Sequence, residues 1–283
     1  MWVIAMERKK VTISDLMRMK TDGVKITMLT AYDFPMAGSL EKAGIDIILV
    51  GDSVGNVVLG YESTVPVTLQ EMIHHTKAVK RATSSAFLVA DMPFMSFNIS
   101  REETIAHAGR LIKEAGADAV KMEGGNTQVC AMIQAVVEAG IPVMGHIGLT
   151  PQTATMLGGF KVQGKTHGAA KDILQQARAL EKAGCFSIVF ECIPDALAAL
   201  ITKRLKIPTI GIGAGAECDG QVLVTHDLLG LHTRFVPKFV KIYAQLSEQI
   251  HKAVTAYIQE VRAGTFPAQK HSFTIHKEEL KKL

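Results

Sequence analysis

Residues 41–53 read EKAGIDIILVGDS, and the phrase that begins this stretch recurs along the chain. Similar phrases are KEAGADAVKM at 113–122 and EKAGCFSIVF at 181–190, with a shorter form, VEAGIPVMGH, at 137–146. In each, a charged turn of predicted helix reaches Ala-Gly, and a short apolar run follows. Glycine suits the left-handed residue that ends a helix, and the apolar run is typical of a strand buried on both faces.

Helical patterns fill the intervals between these runs. Four segments have apolar residues three and four positions apart, namely 69–82, 101–116, 127–140 and 169–184. The predicted strands lie near 26–31, 46–50, 86–90, 118–122, 141–145, 187–190, 207–211 and 233–236. Eight strands that alternate with helices over this length predict an α/β fold, a (βα)8 TIM barrel. A doubly wound open sheet is the alternative.

The domain prediction is a single barrel over residues 1–283 with additions at both ends. An N-terminal extension, about 1–24, is expected to form an extra helix that closes the bottom of the barrel. A polar tail covers about 265–283. The eighth strand is placed in TRFVPKFV, where Pro237 suits a central strand poorly.

Composition restricts the partners and the compartment. The chain has 283 residues, 48% of them hydrophobic, and a net charge of +4 without a basic block, which argues against nucleic acid. No apolar run has the length of a membrane span, and the apolar run in the start MWVIAMERKK is too short for the hydrophobic region of a signal peptide. The four cysteines form no CxxC and no zinc spacing. These features predict a cytoplasmic protein that acts on small molecules.

Carboxylates follow four of the predicted strands. They are Asp52, Asp91, Glu123 and Glu191, after the second, third, fourth and sixth strands. The carboxyl ends of all strands in a parallel barrel lie at one mouth, where active sites are found. We therefore expect these acids to lie together at that mouth.

Three of these acids, Asp52, Asp91 and Glu123, lie on consecutive strands and would repel one another. Burying an unpaired carboxylate is costly, and a divalent cation would relieve the repulsion. Oxygen ligands without His or Cys favour Mg²⁺, with Mn²⁺ as a possible substitute. The alternative is that each acid caps a helix or pairs with a basic residue.

Other polar residues at the predicted mouth have candidate roles. Lys121 shares a strand face with Glu123, so it can hold a substrate carboxylate or neutralise the acids. His146, at the end of the fifth strand, either supports the ligands or bonds to substrate. Glu191, opposite the three acids, is the candidate base, and proton transfer to a second substrate is its alternative role.

A long connection, 149–169, follows the fifth strand. Connections of about twenty residues are uncommon in compact domains and are usually functional. This one carries Gly158, Gly159 and Gly164 together with Lys161 and Lys165. We predict a lid over the mouth, with an ordered loop against a neighbouring subunit as the alternative.

Taken in order, several motifs resemble the ketopantoate hydroxymethyltransferase family. They are TAYDFPMA, VGDSVGNVVLGYESTVPVT, ADMPFMSF, VKMEGG, GHIGLTPQ, KVQGKT, FECIP, GIGAG followed by DGQVLV, VPKFVK and a late HSF, and they span about 10 to 275. The resemblance implies a (βα)8 barrel, a homodecamer and a role in pantothenate and coenzyme A biosynthesis. It also implies transfer of a hydroxymethyl group from 5,10-methylenetetrahydrofolate to 3-methyl-2-oxobutanoate.

The resemblance assigns roles to residues of this chain. The metal ligands would be Asp52, Asp91 and Glu123. The substrate-binding residues would be Asp52, Ser53, Asp91 and Lys121, and the catalytic carboxylate would be Glu191.

Two other functions are kept open. The first is a Mg²⁺-dependent lyase or aldolase of 2-oxo acids, of the isocitrate lyase and phosphoenolpyruvate mutase type, which needs no folate. The second is a metabolite sensor without catalysis, which would not need a base such as Glu191.

Overall fold

Eight parallel strands close into a barrel, and their order around it follows the sequence. The computed structural model describes residues 8–231 and 236–283. The strands are β1 (Ile26–Thr30), β2 (Ile47–Val50), β3 (Phe87–Asp91), β4 (Ala119–Glu123), β5 (Val143–Gly148), β6 (Ser187–Glu191), β7 (Thr209–Ile212) and β8 (Gly220–Leu223). Because β1 pairs with both β2 and β8, the (βα)8 barrel is confirmed and the open sheet is excluded.

Helices follow most of the strands. They are α1 (Ile13–Asp22), α2 (Phe34–Ala43), α3 (Val54–Val57), α4 (Leu69–Lys80), α5 (Arg101–Lys113), α6 (Thr127–Glu138), α7 (His167–Lys182), α8 (Asp195–Thr202), α9 (Thr225–Leu228), α10 (Leu246–Arg262) and α11 (Lys277–Leu280). Two 3-10 turns, Pro151–Thr153 and Gln269–His271, complete the set. The four helical patterns read from the sequence correspond to α4, α5, α6 and α7.

Local sequence explains where these helices begin and end. Thr68 and Glu71 form a capping box that satisfies the first backbone N–H groups of α4. Gly44 ends α2 in a left-handed conformation with φ 82°, and its N–H donates to the carbonyl groups of Leu40 and Glu41. The Ala-Gly phrase thus marks a helix end, as predicted.

The eighth strand is the one element that the sequence prediction misplaced. The strand that closes the barrel is Gly220–Leu223, which pairs with β7 and with β1, so placing it near 233–236 was wrong. Residues 232–235 lie outside the described residues. Two features explain why the sequence did not reveal β8. The connection after β7 contains no helix, and the strand alternates between buried and less buried residues instead of forming a continuous apolar run.

Gly220 allows β8 to approach both neighbouring strands closely. A Cβ added there would lie 2.5 Å from the Ile26 carbonyl oxygen and 2.7 Å from Ile210 Cδ1. We expect Gly220→Ala to lower the free energy of unfolding by about 1–3 kcal/mol, because the strands must move apart. Gly109→Ala on α5 is the control, since its Cβ meets nothing within 4 Å. Denaturant unfolding that gave the two variants equal stability would contradict this account.

The barrel has two hydrophobic layers. An inner cluster fills the barrel and includes Met28, Val89 and Ile210. An outer cluster, which includes Ile48, Leu88 and Ile133, packs the strands against the surrounding helices. The helix expected in the N-terminal extension is α1: its Leu16 belongs to the inner cluster, and its Lys20 forms a 2.6 Å ion pair with Asp219, just before β8.

The described chain divides into two compact units. The first contains the barrel and ends at Thr225, with Pro237–Val240 added, and the second comprises His226–Val236 and Lys241–Leu283. The second unit contains α10, a helix with no buried residue. That this C-terminal part belongs to the same domain as the barrel remains a prediction.

None of the helices in the described part of the chain is long and apolar enough to cross a membrane. All four cysteines are free.

Candidate active site

The four predicted acids lie at the carboxyl ends of their strands. Asp91, Glu123 and Glu191 are the last residues of β3, β4 and β6, and Asp52 lies two residues beyond the end of β2. Asp52, Asp91 and Glu123 are buried, whereas the Glu191 side chain is 15% exposed. The expectation that strand ends would bring the acids to one mouth is therefore met.

Asp52 and Asp91 lie in direct contact. The Asp52 backbone N–H donates a hydrogen bond to Asp91 Oδ2 at 3.0 Å. Burial raises the pKa of Asp52 well above its usual range, and the charges of Asp91 and Glu123 raise it further. Burial also raises the pKa of Asp91, although Lys121 opposes this shift. The charged forms of both acids are thus costly in this position.

Lys121 provides the positive charge within this acidic group. Its Nζ lies 3.0 Å from Asp91 Oδ1, and that oxygen is buried without a partner in hydrogen-bond geometry. Burial lowers the pKa of Lys121, but Asp91, Glu123 and Asp52 outweigh burial and raise it. Lys121 therefore stays protonated at neutral pH and neutralises part of the acidic charge.

His146 connects Glu123 with Glu191. Its Nδ1 lies 3.4 Å from Glu123 Oε1 and 3.1 Å from Lys121 Nζ. Its Nε2 lies 3.1 Å from Glu191 Oε2, an ion-pair contact without hydrogen-bond geometry. Burial and Lys121 lower the pKa of His146, but the two glutamates outweigh them and raise it to about 9. Glu191 thus faces the histidine rather than the other three acids.

Ser53 lies at the edge of the acidic group, just before α3. Its Oγ shares a 2.8 Å hydrogen bond with the hydroxyl group of the buried Tyr32. Sequence reasoning gave Tyr32 no role. The available signal was its position two residues beyond the end of β1, which matches the position of Asp52 beyond β2.

Gln152 is the second residue that sequence reasoning missed. It lies in the 3-10 turn Pro151–Thr153, which follows β5. Its Nε2 donates to Asp52 Oδ2 at 2.8 Å and to the Met92 carbonyl oxygen at 3.0 Å. Its backbone N–H donates to Glu123 Oε2 at 3.1 Å. No strand-end rule predicts a residue within a connection, although the unusual length of this connection marked it as functional.

Within residues 8–231 and 236–283, no group of three or more His, Cys, Asp and Glu side chains has an arrangement that could already hold a metal ion. The side chains of Lys121 and Gln152 bond among the carboxylates. Asp52, Asp91 and Glu123 thus form one buried acidic group, but not a finished set of metal ligands.

This geometry defines a class of protein. The chain is a (βα)8 barrel with a buried group of acids, a protonated lysine and a histidine at the carboxyl ends of its strands, as in barrel enzymes.

The ketopantoate hydroxymethyltransferase family model matches residues 10–269. The chain is 58% identical over 270 residues to "3-methyl-2-oxobutanoate hydroxymethyltransferase" of Heliobacterium modesticaldum, covering 95% of this chain and 98% of that protein. It is 56% identical over 274 residues to the protein of the same name from Carboxydothermus hydrogenoformans, with 97% and 99% covered.

Solved structures of other enzymes share the fold. One is 2,3-dimethylmalate lyase, a member of the PEP mutase/isocitrate lyase superfamily, with a TM-score of 0.57 and 13% identity, covering 95% of this chain and 93% of that chain. At this identity the likeness concerns the fold alone. The chain belongs to the ketopantoate hydroxymethyltransferase family, and the predicted class of enzyme, a hydroxymethyltransferase, is confirmed.

Proposed function

We propose that this enzyme transfers a hydroxymethyl group from 5,10-methylenetetrahydrofolate to 3-methyl-2-oxobutanoate. The products are 2-dehydropantoate (ketopantoate) and tetrahydrofolate. The observation that carries the proposal is the buried group of Asp52, Asp91, Lys121 and Glu123 at the mouth of a barrel that belongs to this family. Such a group suits a substrate that presents a carboxylate next to a keto oxygen.

The acidic group also fits a divalent cation, which we propose is Mg²⁺, with Mn²⁺ able to replace it. Asp52, Asp91 and Glu123 would hold the ion through oxygen atoms, the ligands that Mg²⁺ prefers. Two observations support this assignment. Asp91 Oδ1 is buried and contacts Lys121 Nζ without hydrogen-bond geometry, and burial, together with the charges of Asp91 and Glu123, raises the pKa of Asp52. When bound, the ion would supply Lewis-acid polarisation of the keto oxygen.

We assign substrate binding to Lys121, Ser53, Asp52 and Asp91. The protonated Lys121 lies on β4 beside Glu123 and contacts Asp91, so it suits the substrate carboxylate. The Ser53 hydroxyl group is held by Tyr32 and offers a further hydrogen bond at the edge of the site. Both residues would orient the oxo acid before the chemical step.

Glu191 is the proposed base. The reaction must remove the single hydrogen on C3 of the oxo acid, form a bond from C3 to the methylene carbon, and break the bonds from that carbon to both folate nitrogens. One water molecule supplies the hydroxyl group, and the folate nitrogens take up the protons released. Glu191 suits proton removal because it is the least buried of the four acids and lies apart from the proposed cation ligands. His146 would position it through the 3.1 Å contact. Proton transfer to the folate nitrogen is the alternative role of Glu191.

Hydrogen exchange at C3 of 3-methyl-2-oxobutanoate in D₂O tests the proposal most directly. We expect exchange with Mg²⁺ and little without it, and product only when methylenetetrahydrofolate is added. Turnover of the oxo acid without folate would favour a lyase instead. Binding without exchange would favour a metabolite sensor.

The Lys121 assignment yields a separate prediction. Lys121→Met keeps most of the side-chain volume but loses the charge, so the KM for the oxo acid should rise roughly 10–100-fold. This corresponds to the about 1.5–3 kcal/mol of a charge-assisted hydrogen bond. The KM for the folate should change little. Steady-state kinetics decide, with exposed Lys113→Met on α5 as the control, and equal effects on both substrates would contradict the assignment.

We also propose that the enzyme is cytoplasmic and self-associates, with a homodecamer as the family resemblance implies. The apolar face of α10 supports self-association. Ile250, Val254, Tyr257, Ile258 and Val261 recur at helical spacing and are at least 40% exposed. Sedimentation velocity tests this, and a concentration-independent monomer would contradict it.

A further inference from the structure

Gln152 is a buried residue within a connection rather than on a strand. It is 5% exposed, and it donates two hydrogen bonds to carboxylates, from Nε2 to Asp52 and from the backbone N–H to Glu123. A single residue therefore contacts one acid that follows β2 and one that ends β4, two strands that have β3 between them.

These two hydrogen bonds fix the orientation of the carboxylate groups, which strand pairing does not. Strand pairing fixes where the backbones of β2 and β4 lie, but it leaves the carboxylate groups free to rotate. A hydrogen bond to one oxygen of each carboxylate fixes its orientation. Each carboxylate has about four lone-pair positions, so a single bond leaves room for a cation.

The amide of Gln152 has a chemistry suited to this task. It donates hydrogen bonds without adding a charge, so it stabilises the ionised carboxylate without competing electrostatically with a cation. Its second hydrogen bond, to the Met92 carbonyl oxygen, fixes the direction in which the amide points. Its own turn is held by Thr150, whose hydroxyl bonds to that of Thr153 at 2.6 Å.

We propose that Gln152 is a positioning residue for the cation site. It orients the carboxylates of Asp52 and Glu123 towards a shared divalent cation, and it anchors the connection after β5 to that site. This inference rests on the proposed function, because it assumes that these acids hold a cation.

The first test is Mn²⁺ binding without substrate, followed through the electron paramagnetic resonance signal of free Mn²⁺. Gln152→Met keeps the side-chain length and the backbone bond to Glu123, but it removes the donor to Asp52. We expect its dissociation constant for Mn²⁺ to rise about tenfold or more, as for other residues that orient metal ligands. The matched control is Gln163→Met in the same connection. The Gln163 side chain donates to the Lys161 carbonyl oxygen and not to a carboxylate, so this variant should have unchanged affinity for Mn²⁺.

Two outcomes separate the inference from the proposed function. Wild-type protein that binds no Mn²⁺ would overturn the cation site itself. Wild-type binding together with unchanged affinity in Gln152→Met would overturn only the role of Gln152.

A second test needs no variant. If Gln152 anchors the connection to the site, saturating Mn²⁺ should slow tryptic cleavage of the wild-type protein after Lys161 or Lys165. Cleavage at the same rate with and without Mn²⁺ would overturn the anchoring role, even if Gln152→Met failed to fold.

Discussion

Glu191→Gln is expected to reduce hydrogen exchange at C3 of the oxo acid by a factor of roughly 10²–10⁴, the usual contribution of a positioned base. Glutamine keeps the length of the side chain and its position near His146, but it cannot accept the proton. Binding of Mn²⁺ and of the oxo acid should persist, since Glu191 contacts His146 and not the proposed ligands. Deuterium incorporation measured by NMR and titration calorimetry of the oxo acid give the two readings.

The control for this variant is Glu217→Gln, which removes an exposed carboxylate in the connection between β7 and β8. It should leave exchange unchanged. If Glu191→Gln exchanges normally but forms no product, Glu191 serves the folate half of the reaction. If both exchange and product formation survive, Glu191 has no catalytic role.

Asp52→Asn is expected to have two opposite effects. Affinity for Mn²⁺ should fall by roughly tenfold or more, because the variant loses a charged ligand. Removing a residue that only orients a ligand already lowers metal affinity by about this factor, and removing the ligand itself should cost at least as much. The metal-free protein should become more stable at neutral pH. Burial and the neighbouring acids raise the pKa of Asp52 in the folded state. At any pH above the pKa that this aspartate has in the unfolded chain, its ionisation therefore lowers the free energy of unfolding.

Thermal unfolding with chelator and with Mn²⁺ measures both effects. Each 1 kcal/mol gained should raise the Tm by roughly 2–4 °C for a chain of this size, and Mn²⁺ should stabilise the variant less than the wild type. Asp33→Asn is the control, because asparagine caps a helix as well as aspartate and Asp33 is the exposed N-cap of α2. A variant with lower metal-free stability and unchanged Mn²⁺ affinity would contradict the proposed site.

Much of the fold could be predicted because its signals are local. The Ala-Gly phrase before β2, β4 and β6 reports a helix end and a buried strand within ten residues of sequence. β8 gave no such signal. It is four residues long, and no helix lies between β7 and β8. Its extended conformation depends on pairing with both β1 and β7.

The sequence by itself determined the barrel and the acids at its mouth. Parallel strands in a barrel have only one end at which Asp52, Asp91, Glu123 and Glu191 can meet, so their order along the chain sufficed. The tertiary structure alone decided the bonds among the side chains. Gln152 lies 100 residues from Asp52 along the chain, and nothing local fixes which carboxylate its amide meets. That contact depends on how the connection after β5 folds back over the mouth. Unlike a helix or a strand, such a connection leaves no periodic pattern in the sequence from which its packing could be predicted.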